Sequence, residues 1–328
     1  MSGCNSEHPI VKPTDLISVI MPCFNAHAFV REAIESVLDQ TYPYIELIVI
    51  DDGSNDGSVD IVRSYGDAVL LIEQENKGPY PARNKGIEHS HGEFIAFLDA
   101  DDYWRKDCLA KLHKALIRSG AALAYCGWQN IGLPGGRGDP FIPPDYETGD
   151  KIQSFLRAAA PWPIHAALTR RYVLKEVGGF DELLPSCMDY DLWLRVASAR
   201  SIVRVEEVLA FYRHHNAGQI TSTQWKQAKN SWLTKKRFIA AHPEFVASFS
   251  PEHLRQLVDG GLLRRGYDAY WQRDLVSARR IFRMSIKAGG WKFKDLKYLL
   301  PSLLPESLYL SLIQRADKRE SQDSESAA

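Results

Sequence analysis

No uncharged apolar run in this chain approaches the ~20 residues that cross a bilayer, so a membrane-spanning helix is not expected. Net charge is equally scarce: 40 Lys and Arg stand against 41 Asp and Glu, leaving a formal charge of −1. Without a basic excess, bulk nucleic-acid binding is excluded as the main activity. Cysteine is sparse, with Cys4, Cys23, Cys108, Cys126 and Cys187 far apart and no C-x-x-C pair. That spacing excludes a zinc ribbon and a disulfide scaffold, and it suits reduced thiols in the cytoplasm. The opening MSGCNSEHPIVKP has no basic stretch followed by an apolar one, so a secretory leader is not expected. Glycine-rich phosphate cradles are missing too: no G-x-G-x-x-G follows the first apolar run, and no G-x-x-x-x-G-K-[ST] occurs. Any phosphate bound here must be neutralised by a cation and a few side chains.

What is present is an ordinary globular balance, 45% hydrophobic and 25% charged over 328 residues. That length suits one large α/β domain with an appendage, or two domains. After a polar arm over residues 1–15, apolar β-branched runs alternate with amphipathic stretches. Leu16–Met21, Ile45–Ile50, Val69–Glu73, Phe94–Leu98, Ala121–Cys126 and Val203–Tyr212 read as strands. Phe29–Leu38, Ser58–Tyr65, Pro81–Glu88, Asp107–Arg118, Tyr172–Val177 and Asp189–Ser198 read as helices. Strand–helix alternation over the first ~125 residues predicts crossover units on a mostly parallel central sheet flanked by helices. The Gly- and Pro-rich 130–150 stretch reads as a flexible loop. The expected division is a catalytic domain over 16–220 and a helical region with a polar tail over 221–328.

Open sheets of this kind bind ligands outside the carboxyl ends of their strands. Asp51-Asp52 and Asp99-Ala100-Asp101-Asp102 each follow a predicted strand directly, so both point at one crevice. A D-x-D pair can hold Mg²⁺ or Mn²⁺, which take oxygen ligands from carboxylates and substrate phosphates. Its bland alternative is loop decoration or a helix cap. Asp51 and Asp52 could accept hydrogen bonds from a base or ribose, or simply build a turn with Gly53 and Ser54. Asn76, Lys77, Gly78 and Arg83 follow the third strand and could face phosphates or lie on a solvated helix. Asp189 opens a helix, where the positive helix end keeps a carboxylate ionised. There it is a general base or an N-cap. His214 and His215 follow the last strand and point to different sides. Trp162, between Pro161 and Pro163, and Trp193 are aromatic candidates for sugar stacking or for the core.

Six segments in this order resemble the family 2 glycosyltransferases, which have the GT-A fold. They are SVIMPCFNA (18–26), IVIDDGSNDGS (48–58), ENKGPYPARNKGI (75–87), FIAFLDADD (94–102), VGGFDELLPSCMDYDLWLR (177–195) and LAFYRHH (209–215). The resemblance implies a nucleotide-sugar donor, with a UDP-sugar expected ahead of GDP- and dTDP-sugars. It implies an inverting transfer to a glycan or lipid-linked acceptor, in polysaccharide, lipopolysaccharide or glycan synthesis at the cell envelope. A divalent ion, Mn²⁺ or Mg²⁺, would be held by Asp101. Pro22, Asn25 and Asp52 would line the nucleotide pocket, with Asp52 on the base and Asp51 nearby; Arg83 and Asn76 would join the donor set, and Asp99 would contact ribose. Asp189 takes the catalytic-base position, and His214 or His215 approaches the diphosphate or acceptor. The family often carries Glu-Asp where this chain has Met188-Asp189. The alternative from another class is a catalytically silent nucleotide-sugar-binding protein, which would bind donor without releasing nucleoside diphosphate.

Past about Gln219 the text turns helical. Leu262–Lys287 carries helical apolar spacing with Ala278, Ile281, Phe282 and Ile286 facing inward. Leu296–Ile313 is apolar, broken by Pro301 and Pro305 and flanked by Lys and Arg. It either packs on neighbouring helices or lies peripherally on the inner face of a membrane.

Overall fold

The computed structural model describes residues 15–133, 136–158, 160–183, 186–215 and 223–315. The polar arm and the polar tail expected at the ends fall outside these residues, apart from Asp15. The chain divides into two compact units. One comprises the described parts of Met1–Lys151, Ala160–Leu183 and Asp191–Asn216; the other comprises those of Ile152–Ala159, Leu184–Tyr190 and Ala217–Ala328.

The first unit is built on a nine-stranded sheet. Its strands are β1 (Ile17–Cys23), β2 (Ile45–Asp51), β3 (Leu70–Glu73), β4 (Phe94–Phe97), β5 (Tyr103–Trp104), β6 (Leu123–Ile131), β7 (Pro140–Phe141), β8 (Ala167–Arg170) and β9 (Ile202–Arg213). The order is β3-β2-β1-β4-β8-β6-β9-β5, with β7 added to β6. Strands β1 to β4 pair in parallel, with Ile17 opposite both Ile45 and Phe94. Because β1 is central, all seven of its residues are buried, which explains an apolar run without alternation. The helices of the parallel half are α1 (Val30–Leu38), α2 (Ser58–Arg63), α3 (Pro79–His89) and α4 (Cys108–Ser119). In α1 the buried set is Val30, Ala33, Ile34 and Val37, the expected helical spacing. Helix α3 runs so close to β1 that a Cβ on Gly86 would lie 2.3 Å from Ile20 Cγ2.

Beyond β4 the sheet changes hand of pairing: β8 is antiparallel to both β4 and β6, and β6 is again parallel to β9. β8 was not expected from the sequence. Its four residues, ALTR, carry no β-branched run, and the strand exists because both neighbours supply hydrogen-bonding edges. The 130–150 stretch also differs from the expected loop. Phe141 pairs with Trp128, and Tyr146 is buried beside Tyr125 and Trp162. Trp162 stacks on Tyr125 at 4.3 Å and is fully buried, as is Trp193, so both aromatic candidates for sugar stacking belong to the core.

Helices α5 (Lys151–Arg157), α6 (Arg171–Glu176) and α7 (Met188–Ser198) precede β9 in the chain. The second unit is mainly α8 (Gln224–Ala241), α9 (Pro251–Trp271), α10 (Leu275–Ala288) and α11 (Leu296–Leu299), followed by helical residues 306–315. The expected helical stretch Leu262–Lys287 is two helices. Arg273 sits at φ 62 between them, and Asp274 starts the second by accepting from Ser277 N at 3.1 Å. Ala278, Ile281 and Phe282 are buried, and Ile286 packs on the same cluster with Leu262, Leu299 and Tyr298.

The close approach at Gly86 yields a stability test. Gly86→Ala should destabilise the protein by about 1–3 kcal/mol through overpacking against Ile20, read as a lower urea midpoint at unchanged slope. An unchanged midpoint would mean that α3 can move off β1.

Candidate active site

The first acidic cluster closes β2. Asp51 Oδ2 accepts from Gly53 N at 3.1 Å and Ser54 N at 3.0 Å, and the turn places Gly53 at φ +82, where only glycine is unstrained. Its Oδ1 is buried with no hydrogen-bond partner among the described residues. Asp52 is buried and accepts three bonds: Oδ1 from Gln74 Nε2 (2.8 Å) and Lys77 N (2.8 Å), Oδ2 from Gly78 N (2.7 Å). It therefore ties the 74–78 segment, with exposed Asn76 on it, to the end of β2. Asn25 follows β1 at φ 49; its Oδ1 accepts from Asn55 N, and its own N donates to Ser54 Oγ, both at 2.9 Å. Pro22 is buried in β1, opposite Ile50.

The second cluster follows β4. Asp99 is partly exposed and pairs with Arg83, a buried guanidinium on α3. Arg83 is also flanked by the Tyr80 and Phe180 rings at 5.5 and 5.6 Å. Asp101 Oδ2 lies 2.9 Å from His215 Nε2, and the His215 ring stacks on Phe29 at 4.8 Å. Asp102 is 2% exposed. Its Oδ1 accepts from Arg213 N at 2.8 Å, and its Oδ2 lies 3.0 Å from His165 Nδ1, within ion-pair range though out of line for a hydrogen bond. Arg213 reaches back to donate from Nε to the Asp101 carbonyl at 2.9 Å.

Three carboxylates so close together repel. Burial, then Asp102 and Asp99, push Asp101 up to about 6, against the opposing pull of His215. Burial raises Asp102 as well. Burial alone would lower His165, but the Asp102 carboxylate outweighs it and the net direction is up.

The donor set fits a hard divalent cation. Asp99, Asp101 and Asp102 each offer an oxygen within 4.8 Å of the others, and all three are the ligand type such ions take. Asp102 is already engaged by Arg213 and His165, whereas Asp101 and Asp99 are 28% and 29% exposed. With Asp99 paired to Arg83, Asp101 is the residue that would hold the ion.

Of the paired histidines, His215 joins Asp101, while His214 sits edge-on to Tyr212 at 5.0 Å and donates its N–H to the Ile131 carbonyl at 2.8 Å. Asp189 lies in the first turn of α7, half-buried, with Oδ1 accepting from Tyr190 N at 2.8 Å. It belongs to the second unit, whose boundary falls inside α7 after Tyr190. Sequence reasoning missed His165, Gln74 and the role of Arg213. His165 stands alone in an apolar context with no motif to mark it, and only its complete burial beside Asp102 reveals it.

Comparison with known proteins identifies the family and the fold. The family model described as "Glycosyl transferase family 2" matches residues 18–178. TuaG of Bacillus subtilis, a glycosyltransferase whose name assigns it to teichuronic acid biosynthesis, is 31% identical over 69% of this chain and 90% of its own length. An uncharacterized glycosyltransferase of Rickettsia typhi, RT0329, is 34% identical over 65% of this chain and 68% of its own. Among solved structures, S. aureus TarS 1-349 in complex with UDP-GlcNAc superposes with a TM-score of 0.65 at 18% identity, over 92% of each chain. The mannosyltransferase PcManGT from Pyrobaculum calidifontis, in complex with GDP-Man and Mn²⁺, gives 0.55 at 18% identity over 94% of this chain and 89% of its own.

The two neighbouring acids should separate experimentally. Asp102→Ala leaves His165 and the Arg213 N–H buried without their carboxylate and should cost about 3–5 kcal/mol in urea unfolding. Asp101→Asn relieves repulsion and should shift stability by no more than about 1 kcal/mol. Equal losses would show that Asp101 also supports the fold.

Proposed function

The chain belongs to glycosyltransferase family 2, and from that premise we propose that it transfers a sugar, with inversion, from a nucleotide-sugar donor to an acceptor hydroxyl. The observation that carries the reading is the acidic cluster at the end of β4, with Asp101 strained by its neighbours and Asp99 braced by Arg83. A UDP-sugar is the proposed donor, supported by the fold likeness to a TarS complex with UDP-GlcNAc. The acceptor is a glycan or lipid-linked saccharide of the cell envelope, supported by the relationship to TuaG.

In this reading Pro22, Asn25, Asp51 and Asp52 form the nucleotide side of the pocket. Asp52 is the residue placed on the base, and it also holds the 74–78 segment that presents Asn76, while Asp51, nearby, fixes the turn through Gly53 and Ser54. Asp99, fixed by Arg83, takes the ribose. Asp101 would hold Mn²⁺ or Mg²⁺, which when bound supplies Lewis-acid stabilisation of phosphoryl oxygens. His215, oriented by Phe29 and Asp101, approaches the diphosphate, and His214 lies beside it in the chain. Asp189 takes the proton of the acceptor hydroxyl. The acceptor oxygen forms its bond to the anomeric carbon while the bond to the diphosphate oxygen breaks, and the electron pair leaves with the nucleoside diphosphate. Met188 adds no acidic neighbour, and Asp191, two residues on, is paired with Arg195, so the base role falls to Asp189.

Among the described residues no helix is long and apolar enough to cross a membrane. We place the protein in the cytoplasm with a peripheral membrane contact through residues 291–312. Phe293 is 87% exposed there, and Leu300, Leu303 and Leu308 are each more than half exposed. Lys292, Lys294 and Lys297 surround them, the pattern of an interfacial segment on anionic lipid.

Two measurements test these readings. Asp189→Asn should keep donor affinity by calorimetry and lose ~10²–10⁴-fold in transfer rate, whereas Asp101→Ala should lose both. Near-normal turnover of Asp189→Asn would reject the base assignment. Binding to phosphatidylglycerol–phosphatidylethanolamine vesicles should fall by roughly tenfold or more in Phe293→Ser/Leu300→Ser, since each apolar side chain contributes about 1.5–3 kcal/mol on burial. Equal sedimentation of both proteins would remove the membrane contact.

A further inference from the structure

The second unit holds a cavity of about 310 Å³ whose lining is cationic. Arg157 of α5, Lys235 of α8, and Arg264 and Arg265 of α9 face it, against a single acid, Asp268. Trp232 and Tyr267 form part of its walls. Lys235 is the unusual member, being only 5% exposed. Its ammonium lies 5.7 Å from the centre of the Tyr190 ring, and among the described residues no carboxylate or hydrogen-bond acceptor pairs with it. A buried, uncompensated ammonium beside two guanidinium groups is unfavourable in the empty pocket. It becomes favourable once an anion supplies the missing charge and acceptor oxygens.

We propose that this pocket is a phosphate site, receiving a phosphate group of the acceptor. Four cations against one acid exceed what one carboxylate would neutralise, and a phosphate offers several oxygens to the guanidinium forks and the ammonium. Tyr190, under the Lys235 ammonium, follows Asp189 directly in the chain, so the site sits beside the start of the helix that carries the proposed base. The acceptor assignment rests on the transferase reading; the phosphate site itself does not.

Burial, then Arg265 and Arg264, bring Lys235 down to about 7. Of its neighbours, the Cys187 thiol is pushed up to about 11 by burial, and Arg157, Arg264 and Arg265 contribute guanidinium groups. Asp268, a carboxylate, completes the set. Anion binding that needs the ammonium is therefore strong below pH 7 and weakens as pH rises through it.

Sulfate is the probe, because its charge is constant across this range. Calorimetry of the full chain, at ionic strength held with chloride, should show saturable sulfate binding that weakens about tenfold from pH 6 to pH 8. Lys235→Gln should abolish both the binding and the pH dependence. Arg264→Gln alters an exposed side chain and should weaken binding without touching the buried position. Failure of sulfate to saturate, or unaltered affinity in Arg264→Gln and Lys235→Gln, overturns the site. Glycerol 3-phosphate at pH 6 should bind at least as tightly as inorganic phosphate; exclusion of the ester overturns the acceptor assignment. UDP-sugar titrations run in parallel keep the hypotheses apart. Donor binding without sulfate binding defeats the pocket alone, and sulfate binding without donor binding defeats the transferase reading alone.

Discussion

Three carboxylates within four residues must be kept at the end of β4 against their mutual repulsion. Each is met by a basic side chain from a different element: the Arg83 guanidinium from α3, the His215 ring from the residues after β9, and the His165 ring from the turn before β8. The topology delivers these groups. β9 reaches the site because β5 pairs with its end, setting Tyr103 opposite Phe211 two residues before Arg213. His165 reaches it because β8 inserts beside β4. The antiparallel half of the sheet thus secures an acidic site displayed by the parallel half.

Within that cluster the acids differ in kind. Asp102 has traded solvent for Arg213 and His165, and it joins three strands' ends through its two oxygens. Asp101 keeps part of its surface and a raised affinity for protons. A protein that needed only stability would gain by neutralising Asp101. Retaining a strained group where substrate or ion can reach it is the usual mark of a site selected for function.

The parallel half was legible because its signals are local. Buried apolar runs ending in Asp mark a strand and the acids at its carboxyl end together, as in IELIVIDD and FIAFLDADD. The acidic positions followed, along with Arg83 and His215, since each lies within a few residues of such a run or helix. The remainder was not legible for physical reasons. ALTR becomes β8 only because two edges await it, and Trp162, which reads equally as a ligand platform, is enclosed by Tyr125 and Tyr146 from elsewhere in the chain. His165 and Lys235 share that difficulty. Burial defines their roles, and burial is a property of the assembled fold that no spacing in the text encodes.

The two units carry the same kind of electrostatic feature with opposite sign. In one, carboxylates crowd until Asp101 resists ionisation; in the other, an ammonium is buried among guanidinium groups until Lys235 resists protonation. Neither arrangement stabilises an empty protein, because desolvated like charges oppose folding wherever they lie. Both are relieved by a ligand of the complementary charge, a cation for the acids and an anion for the bases. The free energy given up on folding is then returned as binding selectivity: a neutral sugar would relieve neither cluster. An acceptor bearing phosphate and a donor bearing a cation-held diphosphate would relieve both. Under the proposed reading, that requirement would narrow the chemistry of the two substrates further than the fold does, since one fold hosts many substrates.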